Sequence, residues 1–314
     1  MHRCKRILSL FLTLLFFGGC ASTDDTVSLP AAEPSEQALT VQGEQRTPKV
    51  FYGEQGGNTL SGLSALPPLS YTVSDPENAA GYKEDAVDHY FGKAKNGQVH
   101  AYSRDFQQIF EREKLDAVVY DAKSQEKRIY LTFDCGYENG NTAKILDVLK
   151  EKQVPAAFFC TLHEIKSAPE LIARMIKEGH IVGNHSVSHA DFTTISRTQM
   201  AEELMGFDTY MRENFGYSSL YFRFPEGRYN LNAVQLANSL GFSCIFWSAA
   251  YSDWDTSKQK GAQYAFEQVT NQLHPGMILL LHSVSADNAA AMGQIIDHAR
   301  DKGYVFCALT DLPA

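Results

Sequence analysis

One short stretch of the sequence ends an apolar run in two reactive side chains. In Leu131-Thr132-Phe133-Asp134-Cys135-Gly136, a strand-like run leads into a carboxylate, a thiol and a glycine. Side chains at strand ends are held rigidly, and the strand ends of an α/β sheet or barrel share one crevice. The stretch therefore predicts an active-site position, although Cys135 stands where we expect an oxygen or amide ligand.

Further ionisable side chains follow later apolar runs. His185 and His189 are spaced so that two imidazoles lie on the same side of a helical turn, within reach of one metal ion. Arg223, Asp253 and His282 each follow another strand-like run. Taken singly, these three fit a surface salt bridge, a helix cap and a core histidine. Their occurrence at successive strand ends indicates one catalytic site.

The elements that must position these side chains begin at Lys127, where short apolar strands alternate with amphipathic helices. The pattern predicts seven strands, at 128–133, 156–160, 180–183, 219–222, 242–247, 277–281 and 304–308. Strands that alternate with helices predict a parallel sheet, either open or closed into a barrel. Catalytic residues are then expected just after the strand ends.

The composition is that of a globular protein with room for a full-sized core. The chain has 314 residues, of which 44% are hydrophobic and 21% charged. The net charge of -9 and the lack of a Lys/Arg cluster exclude a general nucleic-acid-binding surface. Cys160, Cys244 and Cys307 lie in apolar runs without CxxC spacing, which favours core packing over a zinc knuckle or a disulfide scaffold.

The N-terminus has the pattern of a targeting segment. Basic residues precede an apolar run at 7–17, and Cys20 follows two glycines. This arrangement resembles a bacterial lipoprotein signal, in which Cys20 becomes the lipidated first residue. An uncleaved membrane anchor is the alternative, but the apolar run is short for a span. In both cases we expect a lipid- or membrane-anchored protein outside the cytoplasmic membrane.

Four segments are predicted along the chain. Residues 1–20 form the signal, and 21–70, rich in Ser, Thr, Pro, Gly, Glu and Gln, are expected to be a disordered tether. Residues 71–126 form an N-terminal appendage with a helix predicted at 103–115, and 127–314 form the main domain.

The main domain resembles a polysaccharide deacetylase domain, carbohydrate esterase family 4, and matches its five motifs in order. Within that family, Phe246-Trp247-Ser248, Asp253-Trp254, and His274-Pro275-Gly276 followed by Leu280-Leu281-His282-Ser283 are similar to the delta-lactam-biosynthetic de-N-acetylases of spore cortex peptidoglycan. The resemblance implies an α/β fold, a distorted (β/α) barrel of about seven parallel strands.

The resemblance also implies a role for each site residue. Asp134 would be the general base. Arg223, supported by Asp253 behind it, would hold the Asp134 carboxylate. His282 would protonate the departing amine, and His185 and His189 would ligate a divalent metal, with Zn²⁺ the first candidate, that polarises the amide carbonyl. The remaining implied contacts are the backbone N–H of Glu226 to the oxyanion, Leu280 to the acetyl methyl group, and Tyr137 and Trp254 to the sugar.

Cys135 departs from the family pattern, which has an aspartate there, or an asparagine in the de-N-acetylases. A thiolate with two imidazoles makes a good zinc site, so Cys135 is one candidate third ligand. The alternative is a neutral small side chain, with the metal held by the two histidines alone. Phe224 and Glu226 also differ from the residues common at their positions, which leaves substrate fit less defined than reaction type.

The predicted function is metal-assisted removal of acetyl groups from peptidoglycan amino sugars. The sharper expectation is that N-acetylmuramic acid without its stem peptide is the target, and that the freed amine closes on the lactyl carboxyl to give the muramic δ-lactam of spore cortex. One alternative is a general N-acetylglucosamine deacetylase acting on peptidoglycan or chitin-type glycans. An alternative of another class is a non-catalytic wall-binding lipoprotein.

Overall fold

The computed structural model describes residues 49–313. Its twelve strands are β1 (Val50–Tyr52), β2 (Val87–Asp88), β3 (Ala117–Val118), β4 (Arg128–Cys135), β5 (Ala156–Cys160), β6 (Ile181–Asn184), β7 (Tyr217–Ser219), β8 (Tyr221–Phe222), β9 (Arg228–Tyr229), β10 (Ser243–Ile245), β11 (Met277–His282) and β12 (Val305–Phe306). Its eight α-helices are α1 (Ala101–Arg112), α2 (Thr142–Lys152), α3 (Leu162–Ser167), α4 (Pro169–Lys177), α5 (Arg197–Phe215), α6 (Leu231–Ser239), α7 (Ala262–Thr270) and α8 (Ala286–Asp301). Short 3-10 helices cover Pro225–Gly227 and Leu309–Asp311.

The main sheet is parallel and curves into a partly closed barrel. Its strand order is β11-β4-β5-β6-β8-β10-β3, and β12 pairs with the start of β4. Helical crossovers keep neighbouring strands parallel and cover the outer face. After β10, Ala249 forms an isolated parallel β-bridge with Leu279 of β11, which ties the segment beyond β10 to that strand. The predicted distorted (β/α) barrel is confirmed, and the strand predicted at 219–222 is divided between β7 and β8.

Alternation along β4 separates an outer layer from the barrel interior. Leu131, Phe133 and Cys135 belong to the apolar layer between the strands and the helices, whereas Tyr130 belongs to the inner cluster. Consecutive strand residues point to opposite faces, so Asp134 shares the inner face with Tyr130. Each large apolar side chain buried in these layers stabilises the fold by about 1.5–3 kcal/mol. The strand thereby presents a carboxylate to the interior from a rigid, buried backbone.

The N-terminal appendage is part of the barrel wall. Its strand β3 pairs in parallel with β10, and α1 packs Phe106 and Phe110 into a second apolar cluster with Phe246. The segment 71–126 therefore supplies an edge strand of the main sheet. Ala117 and Val118 are too few to produce a readable strand pattern.

Residues 49–70 are folded, which corrects the predicted tether boundary at residue 70. Strand β1 pairs antiparallel with β7, and Tyr52 packs edge-on against Tyr217 with ring centroids 5.3 Å apart. Leu63 is buried in the main core. The polar composition of this segment concealed its few anchoring residues. The predicted signal, its Cys20 and the tether up to residue 48 lie outside the described residues.

Helix caps fix the loops that leave the strand ends. Ser285 caps α8 by accepting the backbone N–H of Asn288, and Asn230 caps α6 in the same way. Side-chain caps satisfy backbone donors that the first helical turn leaves free. The loop between β11 and α8 is therefore short and anchored at both ends. In the described part of the chain, none of the helices has the length and apolarity needed to cross a bilayer.

Candidate active site

The centre of the site is the ion pair between Asp134 and Arg223. Asp134 lies near the end of β4, and its Oδ1 accepts a hydrogen bond from the Arg223 guanidinium at 2.8 Å. Burial by itself would raise the pKa of the Asp134 carboxyl, but the guanidinium and the nearby imidazoles outweigh burial and lower that pKa. Asp134 is therefore a carboxylate at neutral pH, as a general base requires.

Arg223 is completely buried, and its hydrogen bonds fix its orientation. Its Nε donates to the carbonyl of Ile245 at 2.9 Å, and its second terminal nitrogen donates to Thr132 Oγ1 at 2.9 Å and to the carbonyl of Phe246 at 3.1 Å. The guanidinium also lies over the Phe159 ring, 4.3 Å from its centroid. A buried charge is tolerated when it is paired and its donors are satisfied. Arg223 therefore holds the carboxylate in one fixed position.

A second supported pair consists of His282 and Asp253. His282 is the last residue of β11 and is in register with Asp134 on β4. Its Nδ1 lies 2.7 Å from Asp253 Oδ1, and its backbone N–H donates to Asp253 Oδ2 at 2.8 Å. Asn288 donates to the same Oδ2 at 2.6 Å. This arrangement corrects one sequence-based role, because Asp253 orients His282 and makes no hydrogen bond to Arg223.

The environment of His282 keeps it protonated above the usual pH range of an imidazole. Burial alone would lower the pKa of His282, but the hydrogen bond and charge of Asp253, helped by Asp134, raise it above its ordinary value. The imidazole is therefore suited to donate a proton near neutral pH. A carboxylate and a protonated imidazole, each fixed by its own partner, face one crevice from adjacent strands.

His185 lies beside the carboxylate, and His189 lies against His185. His185 Nε2 is 3.7 Å from Asp134 Oδ2, and the two imidazole centroids are 5.0 Å apart. The Nδ1 of His185 lies 2.9 Å from the carbonyl of Arg223, which it can reach only as a donor, so Nε2 keeps its lone pair. Burial, together with the neighbouring His189 and Arg223, lowers the pKa of His185 to about 4. A neutral imidazole with a free lone pair fits a divalent metal ion.

A third protein ligand is missing from this group. Among residues 49–313, no set of three or more His, Cys, Asp or Glu side chains is arranged to hold a metal ion. Two histidines leave several coordination positions open, which suits a catalytic metal that must also contact water and substrate. The donors present therefore fit a loosely held catalytic metal better than a closed structural site.

Cys135 is not placed as a ligand. Its side chain is fully buried in the outer apolar layer, on the face of β4 opposite to Asp134. Cys135 is in register with Cys160 on β5, and the neighbouring thiol adds to the burial that raises the pKa of Cys160. This position favours the alternative for Cys135, a small packing side chain, over direct ligation of a metal. The one-residue difference from Asp134 turns it to the other face of the strand.

The four side chains predicted to contact substrate lie at different depths. Trp254 is 57% exposed, and its ring stands 5.9 Å from the His282 ring, at the mouth of the site. Leu280 is buried two residues before His282 on the inner face of β11. Tyr137 is exposed in the loop after β4. Glu226 is exposed and has a φ of 57°, a left-handed backbone conformation.

Two residues with structural roles in the site were not predicted. Thr132 accepts a hydrogen bond from Arg223 and donates one to the carbonyl of Leu279 at 2.7 Å. Asn288 links Asp253 to α8. The inward position of Thr132, two residues before Asp134, was available from the period of the strand. Nothing in the sequence pattern indicated the contact made by Asn288.

Two surface clefts of about 240 Å³ each lie at the opposite end of the barrel. Both are lined by Asp116, Val118 and Leu312, near the beginning of β3. No histidine lines either cleft. The acid–base groups described above are at the other end of the strands, where ligands of parallel α/β folds bind.

Comparisons with known proteins agree with this geometry. Residues 121–245 match the family described as polysaccharide deacetylase. The chain is 45% identical over 201 residues to the peptidoglycan-N-acetylmuramic acid deacetylase PdaA of Bacillus subtilis, covering 64% of this chain and 76% of that protein. It is 48% identical to an uncharacterised 30.6 kDa protein of Geobacillus stearothermophilus, covering 62% of this chain and 73% of that protein.

A solved structure gives the same result for the fold. The structure of Bacillus subtilis PdaA, a family 4 carbohydrate esterase, aligns with a TM-score of 0.69 at 39% identity and covers 73% of this chain and 97% of that chain.

Proposed function

The chain belongs to the polysaccharide deacetylase family, and we propose that its substrate is the N-acetylmuramic acid of peptidoglycan. The observation that carries the proposal is the pair of supported groups at one barrel end, Asp134 with Arg223 and His282 with Asp253. The 45% identity to a peptidoglycan-N-acetylmuramic acid deacetylase supports this choice of sugar.

The side chains divide the hydrolysis of the acetamide into two proton transfers. Asp134, kept ionised by Arg223, accepts a proton from the attacking water. His282, kept protonated by Asp253, gives a proton to the nitrogen as the carbon–nitrogen bond breaks, because an amide does not readily expel an unprotonated amine. Acetate and a free amino sugar are the products.

The proposal includes a divalent metal ion held by His185 and His189, with zinc the first candidate. When bound, the ion would polarise the acetamide carbonyl and stabilise the negative charge that develops on its oxygen. The neutral state of His185 and the direction of its Nδ1 support this role. Leu280 and Trp254 would then border the acetyl group and the sugar, respectively.

The finer proposal concerns which muramic acid residues react. We infer that the stem peptide has already been removed, since the freed amine can then close on the lactyl carboxyl to give a δ-lactam. That product would link the protein to spore cortex. The segments Phe246-Trp247-Ser248 and Asp253-Trp254, together with the residues around His282, support this assignment.

The proposed location is outside the cytoplasmic membrane, with a lipid anchor at Cys20. The basic and apolar residues that precede this cysteine support the proposal. Peptidoglycan lies in that compartment, so anchor and substrate agree. Expression of Cys20→Ala tests the anchor: recovery of the variant in the membrane fraction, as for the native chain, would contradict it.

Acetate release from two matched glycans tests the proposed substrate. Residues 24–314 are incubated with amidase-treated and untreated peptidoglycan, with and without chelator. The proposal predicts acetate mainly from the treated, stem-free glycan, and its loss with chelator. Equal release from both glycans would contradict the requirement for stem removal, and release unaffected by chelator would contradict the metal.

A further inference from the structure

The N-terminal appendage carries a cluster of aromatic rings near the start of α1. We propose that this aromatic platform, formed by Tyr90, His100 and Tyr102, binds the anionic glycan strand beyond the reacting sugar. The inference rests on the proposed function, because it takes peptidoglycan as the polymer that enters the site. The platform would hold sugars that are not themselves deacetylated.

The two tyrosine rings of the platform are exposed, and the half-buried His100 ring packs beside them. Tyr90 is 53% exposed and Tyr102 is 45% exposed, and their centroids are 4.8 Å apart with the ring planes at 83°. Tyr90 also packs edge-on against Phe106 of α1 at 4.9 Å. His100 caps α1 by accepting the backbone N–H of Tyr102, and its ring lies 4.6 Å from the Tyr102 ring. Rigid aromatic faces left open to solvent are typical of binding surfaces.

The platform is joined to the active site by short contacts. His89, the residue before Tyr90, donates its backbone N–H to the carbonyl of Gly227 at 2.9 Å, next to Glu226. The His89 Nε2 lies 2.8 Å from the carbonyl of Trp247. The Trp247 ring in turn lies 5.6 Å from the Arg223 guanidinium. These contacts run through buried side chains and link the backbone before Tyr90 to the surroundings of Arg223.

The fold places the platform at the catalytic end of the barrel. Helix α1 is followed after a short connection by β3, which is parallel to the other strands of the sheet. The chain reverses direction between α1 and β3, so the first turn of α1 lies near the end of β3. That is the end at which Asp134 and His282 complete their strands.

The charge of the platform loop suits a polymer that carries carboxylates. Between residues 89 and 100, the only Asp, Glu, Lys or Arg side chains are Lys93 and Lys95, and both are exposed. The whole chain has a net charge of -9, whereas this loop carries two lysines, of which Lys93 donates to Gln268 at 2.9 Å. The lactyl carboxylates of stem-free peptidoglycan match these positive charges, and complementary charge steers a ligand to its site.

Sedimentation with insoluble amidase-treated peptidoglycan in the presence of chelator measures binding without turnover. The double variant Tyr90→Ala/Tyr102→Ala is expected to bind about tenfold more weakly, which is about 1.4 kcal/mol. Tyr90→Phe/Tyr102→Phe keeps both ring faces and is expected to bind like the native chain. Tyr71→Ala removes another exposed ring, 44% exposed, and serves as the matched control.

The platform would be overturned if the double alanine variant bound peptidoglycan as tightly as the native chain. It would also be overturned if Tyr71→Ala weakened binding equally, or if the double phenylalanine variant lost as much binding as the double alanine variant. The thermal unfolding midpoint of each variant identifies any loss that comes from misfolding, and the phenylalanine variant keeps the test valid in that case. Because binding is measured without acetate release, a native chain that binds glycan through these rings but releases no acetate would refute the proposed function alone.

Discussion

Replacement of Asp253 by asparagine should move the alkaline limit of activity to lower pH. His282 must be protonated to act as the general acid, so kcat/KM falls as the pH rises through its pKa. Asp253 is the main cause that raises this pKa, through the 2.7 Å hydrogen bond and its negative charge. Asparagine keeps the size of the side chain and removes the charge.

The size of the effect follows from the contacts of His282. A neighbouring opposite charge shifts a pKa by about 1–3 units, and the burial that remains in the variant lowers the pKa of an imidazole. The alkaline limb of the pH profile should therefore move down by at least about one pH unit. At pH values above the limb, kcat/KM should then be about tenfold or more below that of the native chain. The acidic limb, set by Asp134, should move much less.

The assay is acetate release from amidase-treated peptidoglycan over a range of pH, for the native chain and the variant. Asp255→Asn is the matched control, because it removes a carboxylate two residues away that bonds Ser257 and Lys258 instead. An alkaline limb that stays in place in Asp253→Asn, or moves equally in Asp255→Asn, would refute the assignment of His282 as an acid tuned by Asp253.

Two further predictions concern the other residues of the site. Arg223→Met should reduce kcat/KM by about a hundredfold or more and move the acidic limb to higher pH, because Asp134 loses its buried counter-charge and its pKa rises; a pH profile with an unmoved acidic limb would count against the pair. Cys135→Ser should leave zinc occupancy, measured by elemental analysis, within about twofold of native, whereas His185→Ala should lower it about tenfold or more. Loss of zinc from the serine variant would restore direct ligation by the thiol.

The fold was predictable because its strands are buried on both faces. Continuous apolar runs such as Ile129–Phe133, ended by polar residues and separated by helical periods, indicate parallel strands directly. β1 and β3 were not predicted, because each is too short to form a long apolar run. With three and two residues, they are defined by their partners in the sheet and not by a pattern of their own.

The sequence predicted which residues form the site better than it predicted which of them bond to each other. Strand ends identified Asp134 and His282, because a parallel sheet brings such positions to one edge. The pairing of Asp253 with His282 depends on the path of the loop after β10, which no local pattern encodes. The direction of Cys135 follows from strand alternation with Phe133, whereas the chemistry of the thiol alone leaves both a ligand and a packing role open.

Mass spectrometry of the sugars in amidase-treated peptidoglycan tests the central claim most directly. After incubation with the native chain, we expect muramic residues that lack the acetyl group, free or closed as the lactam, and unchanged glycan with the Asp134→Asn variant. Acetyl loss confined to glucosamine residues would contradict the proposed substrate. Equal acetyl loss from muramic acid with the native chain and with Asp134→Asn would contradict the catalytic role of the carboxylate.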